Sequence, residues 1–311
     1  MMKTNRLGRT DLMLSAVGLG GWCFGGGYDW GPVDTASAER AVNEALSRGI
    51  NWVDTAPVYG ESEQFLGRVL AARRCKIFYA TKCGLIKRTS WPEHDLSAQT
   101  IVCQVENSLK NLRTDYIDLY QVHYPDPKTP WEEVFACLAR LRTQGKIRYV
   151  GVCNVSADEL RQILSVFPDL AGVQNEYSLL HPARGKEVFE LCQKQGVGFI
   201  GYGSLCGGIL SGKYKKEPNF RRADARNYFY KCYRGESFAR AQKVVSRVRI
   251  VAQNLGVTPA QTALAWALSA PEVTSALCGM RTPEQVRDNA GAAGILLPAQ
   301  TRRFLEGNLC V

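Results

Sequence analysis

The sequence predicts an α/β fold, a closed (β/α)8 (TIM) barrel entered through an N-terminal β-hairpin. Three observations carry that expectation. Short β-branched or apolar runs recur eight times along the 311 residues. Amphipathic stretches with helix-start or helix-stop signals lie between them. Eight such alternations exceed the five or six strands of a usual open doubly wound sheet. The chain, residues 1–311, is therefore read as one barrel domain, a length that barrels routinely reach.

In chain order, residues 5–17 read as a hairpin, with Gly8 and Asp11 supplying its turn. The strand candidates are residues 17–21, 51–55, 77–81, 116–122, 149–153, 172–174, 198–202 and 274–278. Ser37, Ser62 and Ser97 stand before helical patterns at 38–48, 63–71 and 98–111, where a hydroxyl oxygen can accept a free first-turn N–H. Further helices are expected at 131–144, 156–166, 185–195, 259–268 and 283–292. Gly49, Gly145 and Gly196 follow helices as left-handed stops. Residues 218–233, rich in Arg, Asn, Asp and aromatics, are too long for a plain βα turn and read as a functional loop with short helices.

Lys and Arg number 39 against 29 Asp and Glu, a net charge of +10, which admits a nucleic-acid partner or an anionic ligand. No dense basic run appears, and Lys213-Tyr214-Lys215-Lys216 and Arg221-Arg222 lie beside a glycine-rich stretch. That placement favours a phosphate-bearing small molecule over a duplex, so no nucleic-acid partner is expected. The 11 cysteines are scattered, and several, such as Cys137 and Cys153, sit inside apolar patterns. Reduced thiols and a cytoplasmic location follow as expectations. The N-terminus has no apolar signal core, and no apolar run approaches the ~20 residues that cross a bilayer, so no membrane association is expected.

In such a barrel the loops after the strands converge at the strands' C-terminal ends, and chemistry is expected there. The ends of candidate strands two, three and four hold Asp54, Lys82 and His123, and Tyr59 lies in the loop after strand two. Singly these residues read as a turn cap, a surface lysine, a satisfied core histidine and a packed aromatic. Together they form an acid–base set. A phenol with a pKa near ~10 donates a proton poorly at neutral pH unless a cation stabilises its phenolate. Lys82 supplies that cation, Asp54 orients the lysine, and His123 can hydrogen-bond a substrate oxygen. Such a set polarises a carbonyl and protonates the alkoxide formed from it.

The segments Asp54-Thr55-Ala56-Pro57-Val58-Tyr59-Gly60, Ala80-Thr81-Lys82, Asp115-Tyr116-Ile117-Asp118-Leu119-Tyr120-Gln121-Val122-His123 and Gly151-Val152-Cys153-Asn154 together resemble the aldo-keto reductases, bacterial type, in the same order and over essentially the whole chain. The resemblance implies a catalytic tetrad of Asp54, Tyr59, Lys82 and His123, with hydride delivered from a nicotinamide across the barrel mouth. It also implies cofactor contacts at Gly21, Trp22, Asp54 and Cys153. Asn154 and Gln174 would bond the carboxamide, and Tyr202 would stack on the nicotinamide ring. Gly203, Ser204, Leu205, Gly208, Leu210, Gly212 and Lys213 offer small residues and backbone N–H groups to a pyrophosphate. Gly279, Met280 and Arg281 open a helix whose N-terminus favours an anion.

Arg281 suits bidentate contact with a 2′-phosphate, and the resemblance implies that Arg281, Gln285 and Asn289 bind the adenosine end, with NADP(H) the preferred cofactor and NAD(H) left open. Two departures from the family pattern stand out: Cys153 where serine is usual, and Met280 where a small residue is usual. Arg226 reads equally as a phosphate contact or a solvated loop charge. Gly18-Leu19-Gly20-Gly21 is only a weak look-alike of a dinucleotide fingerprint, its spacing being wrong. Trp22, Trp30 and Trp91 read either as walls of a substrate pocket, around Tyr59 and His123, or as packing.

The reading is therefore a reductase of aldehyde or ketone carbonyls, with a small-molecule carbonyl or sugar as substrate. Two alternatives stay open: an alcohol or sugar-alcohol dehydrogenase running oxidatively, and a non-catalytic NADPH-binding regulatory subunit. A metal-dependent hydrolase would need several strand-end ligands; the histidines are His94, His123 and His181, with no His-x-His pair, so no metal is expected. The physiological substrate and the oligomeric state are not legible in the sequence.

Overall fold

The computed structural model describes residues 2–27, 29–88, 91–182 and 186–307. Gly185, expected to open a helix, and Cys310 lie outside these residues. The strands of the barrel are β1 Val17–Gly20, β2 Trp52–Asp54, β3 Phe78–Cys83, β4 Ile117–Val122, β5 Ile147–Cys153, β6 Gly172–Glu176, β7 Gly198–Tyr202 and β8 Val273–Gly279. They pair in parallel in chain order, and β8 returns to β1 in register from Ala276↔Val17 to Gly279↔Gly20, which closes the sheet. Each expected strand is present, within a few residues of its expected ends.

Period-two alternation divides the side chains of each strand between two cores. Outward residues such as Val53, Tyr79, Tyr120 and Val152 join the large apolar layer beneath the helices. Inward residues Trp52, Ala80, Leu119 and Ile200 form a second cluster with Leu7, Leu12 and Leu14. Those three leucines come from the N-terminal hairpin, whose arms Thr4–Arg6 and Met13–Ser15 pair antiparallel. The hairpin thus plugs the bottom of the barrel. Gly18 makes room for the Trp52 indole, since a Cβ there would lie 2.3 Å from the ring.

Helix starts follow the expected chemistry in part. Ser97 and Ser156 cap their helices by accepting from Thr100 N and Glu159 N, and Ser156 completes a capping box with Glu159. Ser37 does not cap; the first helix starts earlier, at Thr35–Ser47, and Asp34 accepts from the Ser37 N–H at 3.1 Å. Ser62 lies inside its helix, Ser62–Leu70, where its buried hydroxyl donates to Gly21 O at 2.8 Å and meets Thr55 Oγ1 at 2.9 Å. It tethers the helix to the barrel mouth. Residues 218–233 contain a short helix, Arg226–Phe229, and a 3-10 turn, Lys231–Tyr233. A small hairpin after β3, Leu85–Ile86 with Glu93–His94, had no signal in the hydrophobic pattern. Among the described residues no helix is long and apolar enough to cross a membrane.

Candidate functional site

Alternation sends Asp54, Lys82, Gln121, Cys153 and Gln174 inward at the top of β2 to β6, above the apolar plug. Lys82 and Asp54 are almost fully buried and ion-paired through Nζ and Oδ1. The ammonium also donates to Thr55 O at 2.9 Å. The second carboxylate oxygen, Oδ2, accepts from Gln121 Nε2 at 3.0 Å and from Gln174 Nε2 at 2.8 Å. A carboxylate so buried needs these partners, because desolvation would otherwise exceed its attraction to the lysine.

Tyr59 reaches this layer from the loop after β2, with Lys82 Nζ 5.1 Å from its ring centroid. Its hydroxyl lies 3.3 Å from His123 Nε2. Burial pushes the Tyr59 phenol well above its ordinary value, and the Asp54 charge adds to the rise. This differs in direction from the expectation of a phenol made acidic by its lysine: the ammonium is ion-paired with Asp54, and burial with the Asp54 charge favours the protonated hydroxyl. His123 is held neutral at physiological pH, mainly by burial and then by the Lys82 charge, its pKa lying well below 6.5. A neutral imidazole protonated at Nε2 can donate to Tyr59 Oη or to an oxygen that comes in beside it.

Asn154 turns at the end of β5 in the left-handed region, at φ 58°, which asparagine tolerates better than most residues. Its amide donates to His123 O at 2.9 Å and accepts from the Tyr202 hydroxyl at 2.6 Å. Cys153 is fully buried, and burial pushes its thiol far up, so it behaves as an apolar side chain with a long contact to Gln121 Oε1 at 3.7 Å.

Beyond β7 the chain is shaped for close approach. Gly203, Gly208 and Gly212 all have positive φ, and the only atoms near an added Cβ at Gly208 belong to the flexible Lys213 side chain. Ser204, buried in this turn, carries a hydroxyl with no protein partner among the described residues. The open backbone at Gly208 with the Lys213 ammonium beside it fits the phosphate end of a dinucleotide. Arg281 follows the adjacent strand β8, its side chain donating to Trp30 O at 3.0 Å while its backbone N–H is taken by Gln285 Oε1 at 2.7 Å.

Other expected contacts are placed differently. Arg226 forks onto Asp224 at 2.8 and 2.6 Å and donates to Tyr214 Oη at 2.7 Å, so it is tied into its loop as a partly buried ion pair. Met280 is fully buried in the outer core, and Asn289 is buried with its amide 3.0 Å from Cys278 Sγ. Both face packing. Trp22 stacks on Tyr59 with centroids 5.8 Å apart, fixed by an indole bond to Asp29 Oδ2 at 2.9 Å and by the edge of Trp30. Trp91 is separate from that wall: it is 65% exposed and meets Tyr228 at the rim.

Two polar residues escaped the sequence reading. Gln121 lies two positions before His123 on one strand, so period two alone would have put both on the inner face. Glu63 is buried without a cation and accepts from Thr81 and Ser108 at 2.7 Å and from Asn111 at 3.1 Å, anchoring the outer side of β3. No local pattern marks it. Among the described residues no group of three or more His, Cys, Asp or Glu is placed to hold a metal ion.

Comparison with known proteins places this geometry in context. A model of the aldo/keto reductase family matches residues 16–305. An aldo-keto reductase of Bacillus subtilis is 33% identical over 98% of this chain and 93% of its own. The NADH-specific methylglyoxal reductase of Escherichia coli is 34% identical, over 95% of both chains. The solved structure of a glycerol dehydrogenase from Gluconobacter oxydans superposes with a TM-score of 0.87 at 32% identity, covering 98% of this chain and 94% of that one.

Proposed function

The chain belongs to the aldo/keto reductase family and is an oxidoreductase, and from that premise we propose that it reduces a small aldehyde or ketone with a nicotinamide dinucleotide and that Tyr59 is the acid. The observation that carries the reading is the contact set Asp54–Lys82–Tyr59–His123 at one barrel mouth, with Asp54, Lys82 and His123 buried and Tyr59 half-buried. When bound, the nicotinamide supplies hydride to the carbonyl carbon. Tyr59 Oη gives its proton to the carbonyl oxygen as that carbon is attacked. An alkoxide is a stronger base than a phenolate, so a phenol kept protonated by burial still transfers its proton downhill. His123 Nε2, beside Oη, holds the same oxygen in line.

NADP(H) is proposed as the preferred cofactor because Arg281, just after β8, offers a guanidinium fork that suits a 2′-phosphate. The NADH specificity named for the Escherichia coli relative supports NAD(H) as the competing reading. The Trp22 and Trp30 wall beside Tyr59 forms the inner side of the substrate pocket, with Trp91 at its outer rim. The name of the Gluconobacter relative favours one second reading, oxidation of an alcohol by the same groups in reverse.

Purified protein is expected to consume NADPH faster than NADH with methylglyoxal, and Tyr59→Phe to lower kcat by at least about a hundredfold. Undiminished turnover in that variant removes Tyr59 as the acid.

A further inference from the structure

Asp54 Oδ2 is satisfied by amides that reach it from two other strands, and one of those amides does more than donate. Gln121 Nε2 bonds the carboxylate at 3.0 Å, while its Oε1 accepts from Gln174 Nε2 at 3.2 Å and from Cys153 Sγ at 3.7 Å. Gln121 is therefore the side chain that joins the lysine–aspartate pair on β2 and β3 to Cys153 on β5, and it also bonds Gln174 of β6, which itself reaches Asp54 directly. It is almost fully buried, and β5 leaves room for it: a Cβ at Gly151 would meet Gln121 Cγ at 3.1 Å. The amide cannot turn over without exchanging its donor for its acceptor and putting an oxygen against a carboxylate.

We infer that Gln121 is a positioning residue of the proton-donating site, fixing the Asp54 carboxylate so that the Lys82 ammonium stays beside Tyr59, and linking that pair to Gln174 and Cys153. This rests on the function proposed above. The residue touches neither Tyr59 nor the reacting oxygen; it acts through Asp54. With the Oδ2 side of the carboxylate held by two amides, Oδ1 has one direction in which to meet the ammonium. Removing the central amide leaves Asp54 free to rotate toward Gln174 and the ammonium free to follow.

The test uses two variants of similar size. Gln121→Met removes donor and acceptor together, and kcat is expected to fall about tenfold or more while the NADPH dissociation constant, read by protein fluorescence, stays within about twofold. Gln121→Glu is expected to depend on pH. While its carboxyl is protonated, it can donate to Asp54 and accept from Gln174, restoring much of the rate near pH 5. Once ionised it sets a second anion against Asp54, and the rate drops below that of the methionine variant. The ionisable neighbours of this position are Asp54, Lys82 and Cys153, with Tyr59 and His123 above them; only the introduced carboxyl separates the two variants. A purely structural role would lower both variants alike, with no pH-dependent ratio between them.

A second readout needs no turnover. The buried Lys82 ammonium should give a slowly exchanging 15N signal, assigned by its loss in Lys82→Arg, and Gln121→Met should broaden or abolish it. Wild-type kcat in Gln121→Met, or a Gln121→Glu rate in constant proportion to wild type across pH, overturns the inference. If the wild-type protein turns over no carbonyl with either dinucleotide, the functional reading fails, and an unchanged ammonium signal in Gln121→Met then refutes the positioning role on its own.

Discussion

Lys82→Met is the perturbation that most directly probes the buried pair. The ammonium is 1% exposed and its partner carboxylate 5% exposed, so removing the cation strands a charge where water cannot reach it. Breaking a buried pair from one side costs about 3–5 kcal/mol. Here Gln121 and Gln174 still donate to Oδ2, and hydrogen bonds to a charged group contribute about 1.5–3 kcal/mol each, which places the loss near the lower end, about 3 kcal/mol. Asp54→Asn strands the ammonium instead, with Thr55 O still accepting, and should cost a similar amount. The double variant has no unpaired charge. It should be no less stable than either single variant, a coupling of about 3 kcal/mol, at the upper end for residues in contact. Urea unfolding followed by tryptophan fluorescence at neutral pH measures all four proteins. Losses that simply add in the double variant would refute the claim that the two charges form one energetic unit.

Acid stability should depend on His123. Its folded pKa lies well below 6.5, so as pH falls beneath about 6.5 the unfolded chain binds a proton that the folded chain does not. The contribution is complete above that value and is lost downward from it until the buried imidazole itself titrates. His123→Gln should flatten the fall in urea midpoint between about pH 7.5 and pH 5; equal falls in both proteins would show that another group governs it. Gly18→Ala forces a methyl against the Trp52 indole and should destabilise the barrel by about 1–3 kcal/mol or more, whereas Gly145→Ala meets no atom within 4 Å and should lose only the smaller cost of its positive φ. Arg281→Ala should raise KM for NADPH about tenfold or more and leave that for NADH within about twofold; equal losses with both dinucleotides would remove the 2′-phosphate role.

What the sequence determined by itself was local and periodic. The eight strand–helix alternations, the Gly49, Gly145 and Gly196 stops and the Ser97 start rest on interactions within a few residues, where spacing alone states the geometry. The strand-end rule then brought Asp54, Lys82, Tyr59 and His123 to one mouth, because closing a parallel barrel puts every strand's C-terminal end on the same side. Only the tertiary structure decided how these groups meet. Gln121 and Gln174 came to share Asp54 Oδ2 and to bond each other, Arg226 was taken up by Asp224, Trp22 rather than Trp91 came to lie on Tyr59, and burial drove the phenol's pKa upward. Each of these outcomes turns on ångström separations, and most on partners from distant parts of the chain, together with the burial that those partners impose. Neither quantity has a period that a sequence can display.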